Sequence, residues 1–210
     1  MRIDSIAAKA DAAGRHRVQF SDGSTMRLYR QTVEDLALFA GMELTDEEMA
    51  QLREAAGKMS AKMRAVRIVA ASNVSRKDLE QRLIRKGEQP EQAREAVAWM
   101  EDLDLVDDAR TAEQIVSQCV RKGYGLARAK QALYEKRIPK EYWEEALADF
   151  PDQQEHILTY LRSKLQGEWN EKDLKRAVDA LLRRGHNYTQ IRQALRLLDA
   201  EELLEDQQWH

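Results

Sequence analysis

Three stretches of this chain can be laid over one another without a gap. Asp78–Val97 (DLEQRLIRKGEQPEQAREAV), Arg128–Leu147 (RAKQALYEKRIPKEYWEEAL) and Arg176–Leu195 (RAVDALLRRGHNYTQIRQAL) bring Gly87, Arg137 and Gly185 into register, at intervals of 50 and 48 residues. Four residues before that position stand Leu83, Leu133 and Leu181; nine and ten after it stand Ala96/Val97, Ala146/Leu147 and Ala194/Leu195. A period of this size signifies helical units that bury their apolar faces against one another, and such arrays are elongated, curved and suited to binding. The fold class expected is therefore mainly α: a tandem array of three three-helix, helix-turn-helix-like repeats.

Punctuation locates the helices. Gly57 is taken to open Lys58–Ser72. Ser75 with Asp78 caps a helix ending at Gly87, and Pro90 begins a third that ends near Leu103. In the second repeat Asp107 caps Asp108–Lys122, Gly125 precedes Leu126–Lys136, and Pro139 begins Lys140–Phe150. The third has Pro151 before Asp152–Leu165, Asn170 before Glu171–Arg184, and Asn187 with Gln190 before Tyr188–Leu198. Ahead of the array, Arg15–Phe20 and Thr25–Tyr29 are β-type runs joined by SDGS, whose Asp22-Gly23 signals a tight turn. Arg2–Lys9 can add a third strand, Thr32 is a candidate cap for a helix over Thr32–Gly41, and Thr45–Glu48 reads as a capping box. The expected domains are a cap at 1–57, repeats at 58–104, 105–150 and 151–199, and an acidic tail at 200–210.

Composition limits the function. With 43% hydrophobic, 6% aromatic and 34% charged residues, the core must be aliphatic and the helical units thin. The net charge of −3 conceals three blocks. Residues 1–57 carry 7 Lys/Arg against 10 Asp/Glu, 58–140 carry 18 against 12, and 141–210 carry 9 against 15. A basic middle and an acidic end suit a partner with patches of both signs better than a uniform polyanion. No apolar run approaches the ~20 residues of a membrane span or forms a secretion signal, so a cytoplasmic protein with no membrane contact is expected. The one cysteine, Cys119, shares a helix face with Ile115, Val116 and Val120 and reads as a core thiol.

No catalytic constellation emerges. His16, His156, His186 and His210 fall in four separate elements without metal-ligand spacing, so neither a metal nor a cofactor is expected. Gly123 and Gly125 in KGYGLARAK lack the Lys-Ser/Thr of a phosphate loop and read as a helix end and a turn. Asp107 and Asp108 fit a helix N-terminus better than acid/base work. Trp143 aligns with Ala93 and Ile191 at an internal repeat position, whereas Trp99, Trp169 and Trp209 could be core or surface.

The positive charge is more ordered. Each second helix ends in a basic pair: Arg85-Lys86, Lys136-Arg137 and Arg183-Arg184. Cations beside the last carbonyls of a helix are each worth ~0.3–1 kcal/mol. Recurring in stacked units they also make a row able to follow an acidic ridge or a phosphate backbone. With Arg67, Arg76 and Arg82 in the first repeat and Arg121, Lys122 and Arg128 in the second, they are the candidate partner-binding residues.

The order SRKDLEQRLIRKG (Ser75–Gly87), LVDDARTA (Leu105–Ala112), RKGYGLARAKQAL (Arg121–Leu133) and LLRRGHNYTQIRQAL (Leu181–Leu195) resembles the RecX family, bacterial regulators of the recombinase RecA. Ser75 and Leu79 match the start of that family's second helix, with Asp78 in place of Glu; Asp107-Asp108 match its Asp pair and Arg184-Gly185 its late Arg-Gly. Three positions depart from the pattern: Thr111 stands where an aromatic is usual, Arg137 where glycine is, and Ser72 where a basic residue commonly precedes the serine. The resemblance implies a monomeric, non-enzymatic protein that lies along the RecA filament on single-stranded DNA and inhibits strand exchange, ATPase and coprotease activities, modulating DNA repair and the SOS response. The alternative is a protein that binds DNA directly through its helix-turn-helix-like repeats.

Overall fold

A computed structural model describes residues 1–166 and 169–198. The expected acidic tail, Trp209 and His210 lie outside the described residues. The chain divides into two compact units, Met1–Val106 and Asp107–His210.

The first unit opens with an antiparallel sheet in the order β1 (Ile3–Ile6), β2 (Arg15–Phe20), β3 (Thr25–Tyr29). Gly23 adopts φ +81°, as the tight turn requires, and its N–H donates to the Phe20 carbonyl at 2.9 Å. Alternation along the strands sends Val18, Phe20 and Leu28 to one face, where they join Ile3, Leu44, Met49 and Leu52 in a closed core.

The helix expected from Thr32 begins earlier and is shorter: α1 spans Arg30–Asp35 and follows β3 directly. Thr32 is 3% exposed, inside the helix, so it does not serve as the cap. Thr45 does cap, with the reciprocal bonds of a capping box to Glu48, and starts α2 (Asp46–Ala71). Gly57 does not start a new helix, and α2 runs through it for 26 residues. A helical glycine costs ~1 kcal/mol against alanine, too little to break a helix packed along its length. A Cβ here would meet the Gln92 carboxamide, the movable end of a flexible side chain. The boundary drawn at residue 57 thus falls inside a single helix.

After α2 come α3 (Arg76–Arg85) and α4 (Pro90–Asp102). The second unit contains α5 (Asp108–Arg121), α6 (Leu126–Glu135), α7 (Trp143–Ala148), α8 (Gln154–Lys164), α9 (Glu171–Arg183) and α10 (Tyr188–Arg196). The helix expected over Lys140–Phe150 is a 3-10 turn, Lys140–Tyr142, running into the six-residue α7. Three aliphatic clusters match the three helical triplets. Leu83, Leu133 and Leu181 sit at their centres with exposures of 0, 0 and 1%. Ala93 and Ile191 are fully buried, while Trp143 is half-buried and ties its indole N–H to the Ile138 carbonyl at 3.0 Å. Trp99 and Trp169 also pack, partly buried, against core clusters. Cys119 is buried, and desolvation pushes its thiol up, away from the reactive thiolate form.

Candidate functional site

Positive charge gathers at helix ends for a local reason, since the C-terminus of each second helix is the negative end of its dipole. In the first unit most of these cations are engaged. Arg67 on α2 reaches the Ala13 carbonyl at 3.2 Å and the Tyr29 hydroxyl at 2.9 Å, tying the helix to the sheet. Arg76 pairs with Glu101 at 2.8 Å. Arg82 pairs with the buried Asp78 at 2.8 Å and donates to the Ser72 hydroxyl at 3.2 Å. Ser72, where the family pattern has a basic residue, is therefore an acceptor for Arg82. Arg85 leans back on the Gln81 carbonyl at 3.4 Å, and Lys86 occupies the exposed C-cap.

The second unit brings charge together across two repeats. The α5–α6 turn (Lys122–Gly125) docks on the α9–α10 turn (Arg184–Asn187) by backbone bonds: Gly125 N–H to the Arg184 carbonyl at 2.9 Å and Ala127 N–H to the Gly185 carbonyl at 3.3 Å. The contact needs glycine on both sides. A Cβ on Gly125 would strike the Gly185 carbonyl, and one on Gly185 the Arg128 backbone. Gly123 and Gly125 are the helix end and turn expected, and they also form half of this joint.

Beside the joint, Lys122 and Arg184 line a cleft of about 410 Å3 with His156, Tyr160 and Ser163. The Arg184 guanidinium lies 4.5 Å from the Tyr160 ring centre and the Lys164 amine 5.8 Å from it, so one aromatic ring attracts two cations. Glu155 is the acidic member of the lining. Arg121 and Arg183 are exposed next to these residues in sequence. Arg128 is held by Glu135 at 2.9 Å, and Lys136 and Arg137 follow the end of α6, each already engaged. Of the twelve residues singled out, the structure thus joins Lys122 and Arg184 in one cleft and shows Arg67, Arg76, Arg82 and Arg128 serving internal contacts. His156, Tyr160 and Lys164 were not singled out, although their spacing of four along one polar helix face was visible in the sequence.

His186 lies under the joint, 4% exposed, with Nε2 at 3.0 Å from the Gly123 carbonyl. That acceptor requires a proton on Nε2, which leaves Nδ1 a buried acceptor without a partner. Desolvation first, then the Arg184 and His156 charges, hold the imidazole below its ordinary range; the Gly123 bond opposes them. Asp107 caps α5 through the Arg110 N–H at 3.0 Å, and Asp108 is buried in its first turn, as the capping reading requires. Among the described residues no cluster of three His, Cys, Asp or Glu could hold a metal, and no helix is long and apolar enough to cross a membrane.

Comparison with known proteins places this architecture. The model for "RecX, second three-helix domain" matches residues 107–147. The Regulatory protein RecX of Vibrio parahaemolyticus is 30% identical over 146 residues, covering 68% of this chain and 94% of that protein. The chain belongs to the RecX family. The RecX of Streptococcus gordonii is 26% identical over 212 residues, 99% of this chain and 81% of its own. A crystal structure of regulatory protein RecX shares the fold at a TM-score of 0.62, with 16% identity, over 94% of this chain and 98% of that one. The RecX structure from Lactobacillus salivarius gives 0.58, with 23% identity, over 68% and 97%. The relatives are named as regulatory proteins, and the solved RecX structures share the fold over the parts of the chain they cover.

Proposed function

We propose that this protein is a non-enzymatic, monomeric regulator of the cytoplasm that binds the RecA filament on single-stranded DNA and lowers its strand-exchange, ATPase and coprotease activities. Membership of the RecX family carries the reading, because the motifs that mark the family run in order through all three helical triplets. The charge pattern supports it: a basic middle section suits a groove that holds DNA, and an acidic end suits basic protein surface. Direct coating of DNA is less well supported, since Asp78, Glu80, Glu135 and Asp179 stand among the cations of the second helices.

The test is DNA-dependent ATP hydrolysis by RecA with this protein titrated in. Hydrolysis should fall at equimolar or lower ratios, and the protein alone should hydrolyse neither ATP nor DNA. Unchanged hydrolysis at large excess would remove the reading. The exposed pair Arg85 and Lys86 is proposed to lie on the binding face. A folded Arg85→Glu/Lys86→Glu variant should then lose inhibition, whereas wild-type inhibition would assign the pair to helix capping alone.

A further inference from the structure

The sheet that opens the first unit buries one face and turns the other to solvent. Because side chains alternate along a strand, Arg15, Arg17 and Gln19 on β2 and Thr25, Arg27 and Tyr29 on β3 point away from the buried Val18, Phe20 and Leu28. Strand pairing sets them in three rows: Arg15 opposite Tyr29, Arg17 opposite Arg27, and Gln19 opposite Thr25, with Ser5 of β1 continuing the last row. None of these seven positions is acidic, although residues 1–57 carry 10 Asp/Glu against 7 Lys/Arg. Three of the cations of that stretch are thus gathered on one small face.

The middle row gives the face its character. Residues directly opposite on neighbouring strands hold their Cβ atoms about 4.5–5.5 Å apart, and like charges so placed destabilise a sheet. Arg15 is neutralised by Asp11 at 2.9 Å. Arg17 and Arg27 are both exposed, and neither forms an ion pair with a described residue. Two guanidiniums with no carboxylate of their own fit an anion brought by a partner. The surroundings decide which anion. Asp22 in the β2–β3 turn, Asp11 beside Arg15 and Asp4 on β1 stand around the arginines, so a long polyanion meets repulsion on leaving them, whereas a short acidic segment ends among them. Single-strand binding also draws on open aromatic platforms, and Tyr29 is half-buried with its hydroxyl held by Arg67 at 2.9 Å. Alternate side chains of an extended peptide recur about every 6.6 Å, the separation of Arg15 and Arg17 along β2.

We infer that the outer face of the N-terminal sheet docks an acidic, extended segment of a partner protein, whose carboxylates lie on Arg17 and Arg27. The inference goes beyond the recombinase reading and is tested without RecA. Fluorescence anisotropy of the full chain is followed with a labelled hexaglutamate peptide, its hexaglutamine counterpart and an oligothymidine of equal charge. Hexaglutamate should bind and hexaglutamine should not. Arg17→Gln and Arg27→Gln should each weaken hexaglutamate about fivefold, the upper range for an exposed ion pair. Arg192→Gln, which removes the same charge from an exposed position on α10, should leave it unchanged. In the absence of any peptide, Arg27→Gln should raise the melting temperature, because it removes the repulsion with Arg17. Folding of each variant is checked by circular dichroism, and if one of the facing pair does not fold, the binding of the other decides. Absence of hexaglutamate binding, an equal loss in Arg192→Gln, or a lower melting temperature in folded Arg27→Gln overturns the assignment. Oligothymidine binding that falls in step with the same two substitutions would make the face a nucleic-acid site, and the protein-segment assignment would be wrong.

Discussion

Arg137 occupies a left-handed backbone position, φ +55°, while its counterparts Gly87 and Gly185 sit at +92° and +86°. A side chain there costs energy that glycine avoids, because Cβ crowds the following carbonyl. Arg137→Gly should therefore raise the urea midpoint, with a gain of about 0.5–1 kcal/mol set against the contact Arg137 already makes. A lower midpoint would show that contact to outweigh the strain. The leucines one turn back are a sharper test. Leu83→Ala, Leu133→Ala or Leu181→Ala should each cost ~2–5 kcal/mol in denaturant titrations, since each empties the centre of its own cluster. These positions were legible because the repeat supplies three readings of one environment. Thr32 was not: a threonine before an apolar run looks like a cap, and only its burial inside α1 shows that the helix has already begun.

At the scale of elements, the caps and joints separate by what surrounds them. Gly87 has open space where a Cβ would stand, so Gly87→Ala should lose only the left-handed preference, about 1 kcal/mol. Gly185→Ala adds a collision with the Arg128 backbone and should cost clearly more, separating α6 from the α9–α10 turn. Equal losses in thermal melts of the two variants would show that the joint yields without cost. Helix starts were readable to within a residue or two wherever a side chain caps them, as at Thr45, Ser75, Asp107, Asn170 and Asn187. Gly57 and Pro139 misled, since glycine in a well-packed helix is tolerated and a proline can open a 3-10 turn as readily as an α-helix. The joint itself was hidden, because contacts between Gly125 and Gly185 span some sixty residues and leave no periodic trace.

For the molecule as a whole, pH and salt report on different features. His186 is held below its ordinary value near 6.5 in the folded protein, so the unfolded chain takes up its proton first as pH falls. Its contribution to stability is present above pH 6.5 and should be lost between that value and the lower folded one. His186→Gln should flatten this part of the stability–pH curve; an identical slope in wild type and variant would remove His186 as its source. Salt acts on the exposed cations, and the filament binding proposed for them should weaken as ionic strength rises, because exposed charges are screened. The basic middle was visible in the sequence, whereas its sorting into engaged and available side chains needed coordinates: Arg67 and Arg82 read like Lys122 and Arg184 until their partners are seen.

The continuity of α2 through Gly57 also has a mechanical side. A helix of 26 residues is about 39 Å long, and here one end seals the sheet's core while the other packs into the first repeat. Arg67 adds a cross-brace from its far half back to the sheet's own loop. There is no hinge where the domain boundary was expected. The N-terminal sheet is the handle of a lever, and torque applied to it would reach the first repeat as rotation instead of being absorbed by a linker.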